Sequence, residues 1–266
     1  MNVILSFLNS LPGSFGQGFA WGIMAIGVYI TYRILDIADL TVDGSLTTGG
    51  AVCAVCISMG MNPWLALLLA VLAGMLAGLV TGLFHTACGI PAILSGILTQ
   101  LALYSLNLRI MGLGSESATR ATVALSVDNQ DLLLSSRYVR DLSLENPLLL
   151  LALAVIVVIG ILYWFFGTEM GCSLRATGAN TNMARAQGIN TDFAKVLALV
   201  VSNGLVALSG ALIAQYQGSA TIDMGRGAIV IGLAAVIIGE VLFSKCFINF
   251  ALKLLAAVIG AIIYYM

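Results

Sequence analysis

Charge is what this sequence has least of. Asp, Glu, Lys and Arg make up 9% of its 266 residues, against about 25% in soluble domains, which excludes a water-soluble globular chain. The formal net charge is -1, so nothing argues for nucleic-acid binding. Histidine occurs once, as His85. With no metal-ligand cluster and no nucleophile beside a base, an enzyme finds no support and no catalytic or metal residue is assigned. The five cysteines (Cys53, Cys56, Cys88, Cys172, Cys246) are odd in number and mostly sit in apolar runs, which excludes a disulfide framework. Cys53 and Cys56 have redox spacing, but nothing polar beside them would lower a thiol pKa. No phosphate loop is present, because Lys195, Lys245 and Lys253 all lack a preceding glycine. No basic segment precedes the first apolar residues, so no cleaved signal peptide is expected.

What the chain has is oil. Hydrophobic residues make up 60% of it, and the mean hydropathy is +1.06. We expect an all-α polytopic integral membrane protein forming a single transmembrane domain over residues 1–266, bathed in membrane lipid. A spanning helix needs about 20 apolar residues. Such runs are Phe15–Ile34, Pro63–Phe84, Ile90–Ile110, Pro147–Phe166, Phe193–Tyr216, Ala228–Phe243 and the start of one at Ile248–Met266. With the run at Ala51–Met61 they make about eight crossings. The last has no polar anchor, which suggests a truncated or missing final helix.

The stretch Leu35–Gly50 is unusual for a membrane. Asp36, Asp39 and Asp43 lie within eight positions, and a continuous helix would stack these like charges on one face. A broken helix is expected instead, with Asp43 capping a helix that starts at Gly44. Unwound backbone is tolerated at membrane depth only against protein or a water-filled cavity. Helix ends of this kind line substrate routes in transporters; a plain cytoplasmic turn is the alternative. Gly225–Gly232 opens a second crossing with similar small residues, which suggests an inverted repeat.

Candidate route residues are Asp43, Ser45, Thr47, Thr48, Gln100, Asn107, Asn203 and Glu240. Gln100 and Asn107 are seven apart and share a helix face; bonds to neighbouring helices compete with a substrate role. Glu240 sits well inside an apolar run, a functional candidate by default, with a structural pair to Lys245 as the rival reading. Gly74, Gly78 and Gly82 recur every fourth residue, the packing signature of membrane helices. His85 reads as an interfacial cap. Residues 112–146 carry both charge signs and read as an external loop, either solvated or receiving a partner.

The other polar stretch, residues 168–190, is small, Ala-rich and mildly basic. Ser173 can cap a helix there and Gly188 can end it. A short helix outside the bilayer is expected, either as a docking face or as a bare connector. With this stretch inside, Arg33, Arg175, Arg185, Lys195, Lys245 and Lys253 fall on or near the cytoplasmic side and Arg226 in a short external loop. The positive-inside rule supports that orientation, which puts the N terminus outside.

The pattern Gly171, Arg175-Ala176, Gly178, Asn180, Ala184, Gly188-Ile189 resembles the cytoplasmic loop of permease subunits of bacterial ABC importers, of the branched-chain amino acid and ribose type. Arg33–Asp36, Asp39–Ser45, Tyr104–Gly112, Val201–Leu205, Ser209-Gly210 and Gln215–Gly218 extend the resemblance, and the first three look like a subgroup associated with aromatic amino acids. The resemblance implies a coupling helix seated on an ATPase subunit, carried by Gly171, Arg175, Ala176, Asn180, Ala184, Arg185 and Gly188. It implies a second permease subunit, an extracellular substrate-binding protein, and ATP with Mg held by the ATPase subunits rather than by this chain. It implies import into the bacterial cytoplasm by alternating access. A small sugar or nucleoside is the alternative substrate. A secondary transporter or channel working alone is the alternative function, with the intramembrane carboxylates as its ion sites.

Overall fold

The computed structural model describes residues 2–113, 119–125, 132–134, 147–243 and 249–266, with the side chains of 2–10 excepted. Most of the expected external loop, Lys245 and Cys246 lie outside the described residues. The described residues are mostly helical. Helix α1 spans Asn2–Tyr29 and runs directly into a π-helical turn at Ile30–Ile34. It therefore starts well before Phe15, with Pro12 inside it. Apolar character alone under-measured it, because its first turns include Asn2, Ser6 and Asn9.

The chain then unwinds. Asp36 takes a left-handed φ of 56°, and α2 begins at Thr41 and ends at Ser58. The break is as expected, but its cap is not. Asp39, not Asp43, accepts from the Thr41 N–H at 2.9 Å. Helices α3 (Pro63–Thr86) and α4 (Ala92–Gly112) follow. Asn62 caps α3 through the Trp64 N–H, with Pro63 in the first turn, where its missing N–H costs nothing. His85 bonds the Ile90 carbonyl through Nδ1 at 2.8 Å, closing the α3–α4 turn.

Helix α5 (Pro147–Gly167) leads into the polar stretch, which forms two helices rather than one: α6 (Glu169–Ala179) and α7 (Thr181–Ala186). Thr168 caps α6 and Asn180 caps α7. Ser173 lies inside α6 and bonds back to the Glu169 carbonyl at 2.9 Å. Gly188, at φ 83°, follows the end of α7 in the left-handed region where glycine has no Cβ penalty. Helix α8 (Thr191–Gln217) is the longest of the central helices; α9 (Ala228–Phe243) and α10 (Phe250–Tyr265) close the bundle. A short antiparallel pair, β1 (Thr122–Ala124) with β2 (Ser219–Thr221), covers the end of the bundle opposite α6 and α7.

Among the described residues, α3, α4, α5 and α8 are long and apolar enough to cross a membrane, and α9 and α10 are shorter apolar helices. The core is built around α8, which packs on α1, α2 and α3. Gly74 faces the backbone of Asn203, Gly78 that of Leu199, and a Cβ at Gly82 would sit closer to Val196 than ordinary van der Waals contact allows. The four-residue glycine repeat is thus one seam against α8. Small residues let the two backbones approach, which is how helices associate without a hydrophobic driving force. Ser202 and Ser209 donate across to the Gly27 and Ala20 carbonyls of α1 at 2.8 and 2.7 Å.

Candidate functional site

Depth along α8 locates the break. Asp39 meets Asn203 near the middle of α8, whereas Cys53, further along α2, meets Gln215 near its end. Helix α2 therefore starts inside the bundle and runs toward the β1–β2 end. Helix α9 also starts inside. Asp43 reaches across to its N terminus, accepting from the Gly227 N–H at 3.1 Å and the Ile229 N–H at 2.9 Å. A carboxylate there satisfies orphan backbone donors and suits the positive end of the helix dipole. So Asp43 is a cap, as its type suggests, but for a helix 186 residues away. Gly225 permits the approach, since a Cβ there would strike the Asp43 carbonyl and the Thr47 hydroxyl.

Beside this junction of two helix starts lies a cavity of about 360 Å³. Asp43, Thr47, Gln100, Tyr104, Asn107 and Arg226 line it, with Gly44, Leu101 and Ile222. Four of the expected route residues are therefore together: Asp43, Thr47, Gln100 and Asn107. Asn107 is 1% exposed. Its Nδ2 donates to the Gly44 carbonyl at 3.5 Å, and its Oδ1 has no partner among the described residues. The Arg226 Nε bonds Asp223 at 2.9 Å, and the guanidinium sits 5.9 Å from the centre of the Tyr104 ring. Tyr104 and Arg226 were not expected at the site. Arg226 reads as a turn residue in sequence, and only its turn folding back over α4 gives it another role.

The other expected route residues lie elsewhere. Ser45 and Asn203 bond each other at 2.6 Å, and Asn203 also donates to Asp39 at 2.7 Å. All three are buried, as is Thr48, which bonds the Gly44 carbonyl one turn back. Asp39, Ser45 and Asn203 form a polar network that joins the start of α2 to α8. Glu240 sits near the α6–α7 end and pairs with Arg33 at 2.6 Å, with both side chains more than a third exposed. Arg33 is thus a partner of Glu240 among the described residues, and Lys245, the partner weighed from the sequence, lies outside them. Of the carboxylates considered as ion sites, Asp39, Asp43 and Glu240 are met by protein donors, and Asp36 is exposed.

The α6–α7 hairpin is bound to the bundle by its own polar groups. Gly171 folds against the backbone of Phe165 and Phe166, and Gly178 rests on the Ile34 carbonyl. Arg175 donates to the Phe166 carbonyl at 2.5 Å and lies 5.7 Å from the Phe250 ring centre. Arg185 bonds Thr191 at 2.7 Å and Asp192 at 3.0 Å. Ala184 is buried, Ala176 is half-buried, and Asn180 and Gly188 are exposed. Met170 and Met183 are each more than half exposed. Of the residues expected to couple, Gly171 and Ala184 shape the hairpin from within. The two arginines fasten it. Among the described residues, no three of His, Cys, Asp and Glu gather closely enough to hold a metal ion.

Comparison with known proteins agrees with this architecture. The chain is 40% identical over 248 residues to the tyrosine transport system permease protein of Clostridioides difficile (strain R20291), covering 93% of this chain and 78% of that one. It is 36% identical over 263 residues to an uncharacterized protein of Rickettsia prowazekii (strain Madrid E), covering 97% and 87%. It is 29% identical over 230 residues to the autoinducer 2 import system permease protein LsrC of Yersinia pseudotuberculosis serotype O:1b (strain IP 31758), covering 82% and 58%. The family described as "Branched-chain amino acid transport system / permease component" matches residues 11–266. With its apolar helices and its broken, polar interior, this chain is a multi-pass plasma-membrane protein that belongs to that family of ABC importer permeases.

Proposed function

We propose that the chain is the permease of an importer for an amino acid, with a tyrosine-like compound as substrate. The observation that carries this is the 40% identity, over 93% of the chain, to a permease named for tyrosine transport. ATP is hydrolysed by separate ATPase subunits, which hold the nucleotide and Mg. An extracellular binding protein delivers the substrate, and a second permease copy completes the pathway.

The α6–α7 hairpin is the coupling element and faces the cytoplasm. Met170 and Met183 supply exposed apolar contact for the ATPase. A push on the hairpin passes through Gly178 to the end of α1, through Arg175 to α5 and α10, and through Arg185 to the start of α8. These fixed contacts let the hairpin move as one piece with the helices behind it, the rigid-body rocking of alternating access.

The test is reconstitution in vesicles with the cognate ATPase and binding protein. ATP-dependent accumulation of L-tyrosine is expected, and Met170→Glu with Met183→Glu should reduce ATPase capture at least tenfold, because both charges would be desolvated at the contact. Accumulation that continues without the ATPase sinks the reading.

A further inference from the structure

Where α5, α6 and α10 meet, two cavities adjoin, and Arg175, Asn249 and Phe250 line both. The first, about 550 Å³, is largely aromatic, with Tyr163, Trp164 and Phe166 among its walls. Trp164 is 72% exposed and Tyr163 57%. Such rings at the end of a spanning helix belong to the membrane–water boundary, so this cavity opens at the bilayer interface.

The second, about 490 Å³, is cationic. Arg33, Arg175 and Lys253 line it, and none of its described lining residues is a carboxylate. The three come from separate parts of the fold: the π-helical end of α1, the hairpin helix α6 and the first turn of α10. Glu240, outside this lining, takes the Nε of Arg33 at 2.6 Å, so the terminal nitrogens of that guanidinium keep N–H groups to give. Arg175 sets one terminal nitrogen on the Phe166 carbonyl, which leaves the other. Lys253 is exposed and meets no acceptor among the described residues. Like charges around one space repel, and an anion between them turns repulsion into attraction.

A phosphate suits this set, since guanidinium groups grip it in a fork and a lysine meets it as a point charge. Both volumes fall within the range of about 300–1,000 Å³ typical of small-ligand sites. A soluble phosphate would use the cationic cavity and leave the aromatic one idle. A phospholipid uses both, and basic pockets between spanning helices hold anionic headgroups in this way.

We infer that the paired cavities bind an anionic phospholipid, with its phosphodiester among Arg33, Arg175 and Lys253 and its acyl end along Trp164 and Phe250. One headgroup then ties the α6–α7 hairpin to α1 and α10. The inference rests on the chain's membership of a membrane family and is independent of the substrate carried.

The experiment places the full chain in phosphatidylcholine nanodiscs containing phosphatidylglycerol brominated on its acyl chains, with brominated phosphatidylcholine as the comparison. Bromine quenches nearby tryptophan, and the difference between the unaltered chain and Trp164→Phe isolates the quenching at this cavity. Phosphatidylglycerol is expected to reach half-quenching at about one-tenth the mole fraction that phosphatidylcholine needs. Lys253→Gln should lower that preference about fivefold, Lys253→Glu should erase it, and Lys253→Arg should keep it. Lys195→Gln removes a lysine that lines neither cavity and should leave the preference intact. Equal quenching by the two lipids at Trp164 overturns the site. So does a preference that survives Lys253→Glu, or one that Lys195→Gln lowers as much as Lys253→Gln, which would mark diffuse surface charge. Millimolar inorganic phosphate, at constant ionic strength, should leave the preference unchanged; its removal by phosphate would make this a site for the free anion and overturn the lipid assignment. Tyrosine uptake plays no part in these readings, so a failure of the importer reading leaves them standing.

Discussion

Two contacts made by neighbouring helices show opposite ways of using small and polar residues. Along the α3–α8 seam, three glycines bring backbones together and leave no room for a side chain. At the junction of α2, α4 and α9, glycine and aspartate bring two helix starts together and leave a cavity. The seam is satisfied by its own helical hydrogen bonds, so closeness costs it nothing. At the junction, helix starts carry unpaired donors, and Asp39 and Asp43 must be brought in to meet them. Close packing suits a part that stays fixed. A polar junction with space beside it suits a part that receives something.

Substitutions can break this contrast. The largest effect is expected at the seam. Gly78→Leu would drive a side chain into the Leu199 carbonyl and the Asn203 side chain. Backbone cannot yield there, so the loss should exceed the usual overpacking cost of about 3 kcal/mol, read as a lowered unfolding temperature in detergent. Asn203→Leu comes next. It removes the donor to Asp39 and the acceptor for Ser45, and should cost about 3 kcal/mol because a buried carboxylate loses a bond. A thermal shift equal to that of an exposed α3 leucine replaced by alanine would show that this network carries no weight. The smallest is Asp43→Ala, about 1 kcal/mol as for a lost helix cap. Hydrogen exchange should then rise at Gly227 and Ile229 and not along α3, which separates the junction from the seam.

The periodic features were legible in the sequence. Gly74, Gly78 and Gly82 mark a seam because a four-residue repeat fixes one helix face whatever lies opposite. Asp36, Asp39 and Asp43 mark a break because three carboxylates cannot share a buried helix face. Which aspartate caps which helix was not legible. Asp43 has the right spacing to cap its own helix, and only the position of α9 reassigns it. Ser173 and Thr168 are both competent caps, and the fold of α5 into α6 chose Thr168. Arg175 and Arg185 read as a basic docking face, yet their reach lets them bond backward into their own bundle, a choice that composition cannot register.

The sequence by itself determined that this chain lives in a membrane, where its helix faces are small, and where its helical run must fail. Those follow from solvation, side-chain volume and like-charge repulsion, which act locally. Tertiary structure alone decided that the failed run and a helix nearly two hundred residues later begin at one place, and that Tyr104 and Arg226 stand there with Asn107. Such meetings depend on how separate helices stack, and no local property of either one encodes its distance from the other.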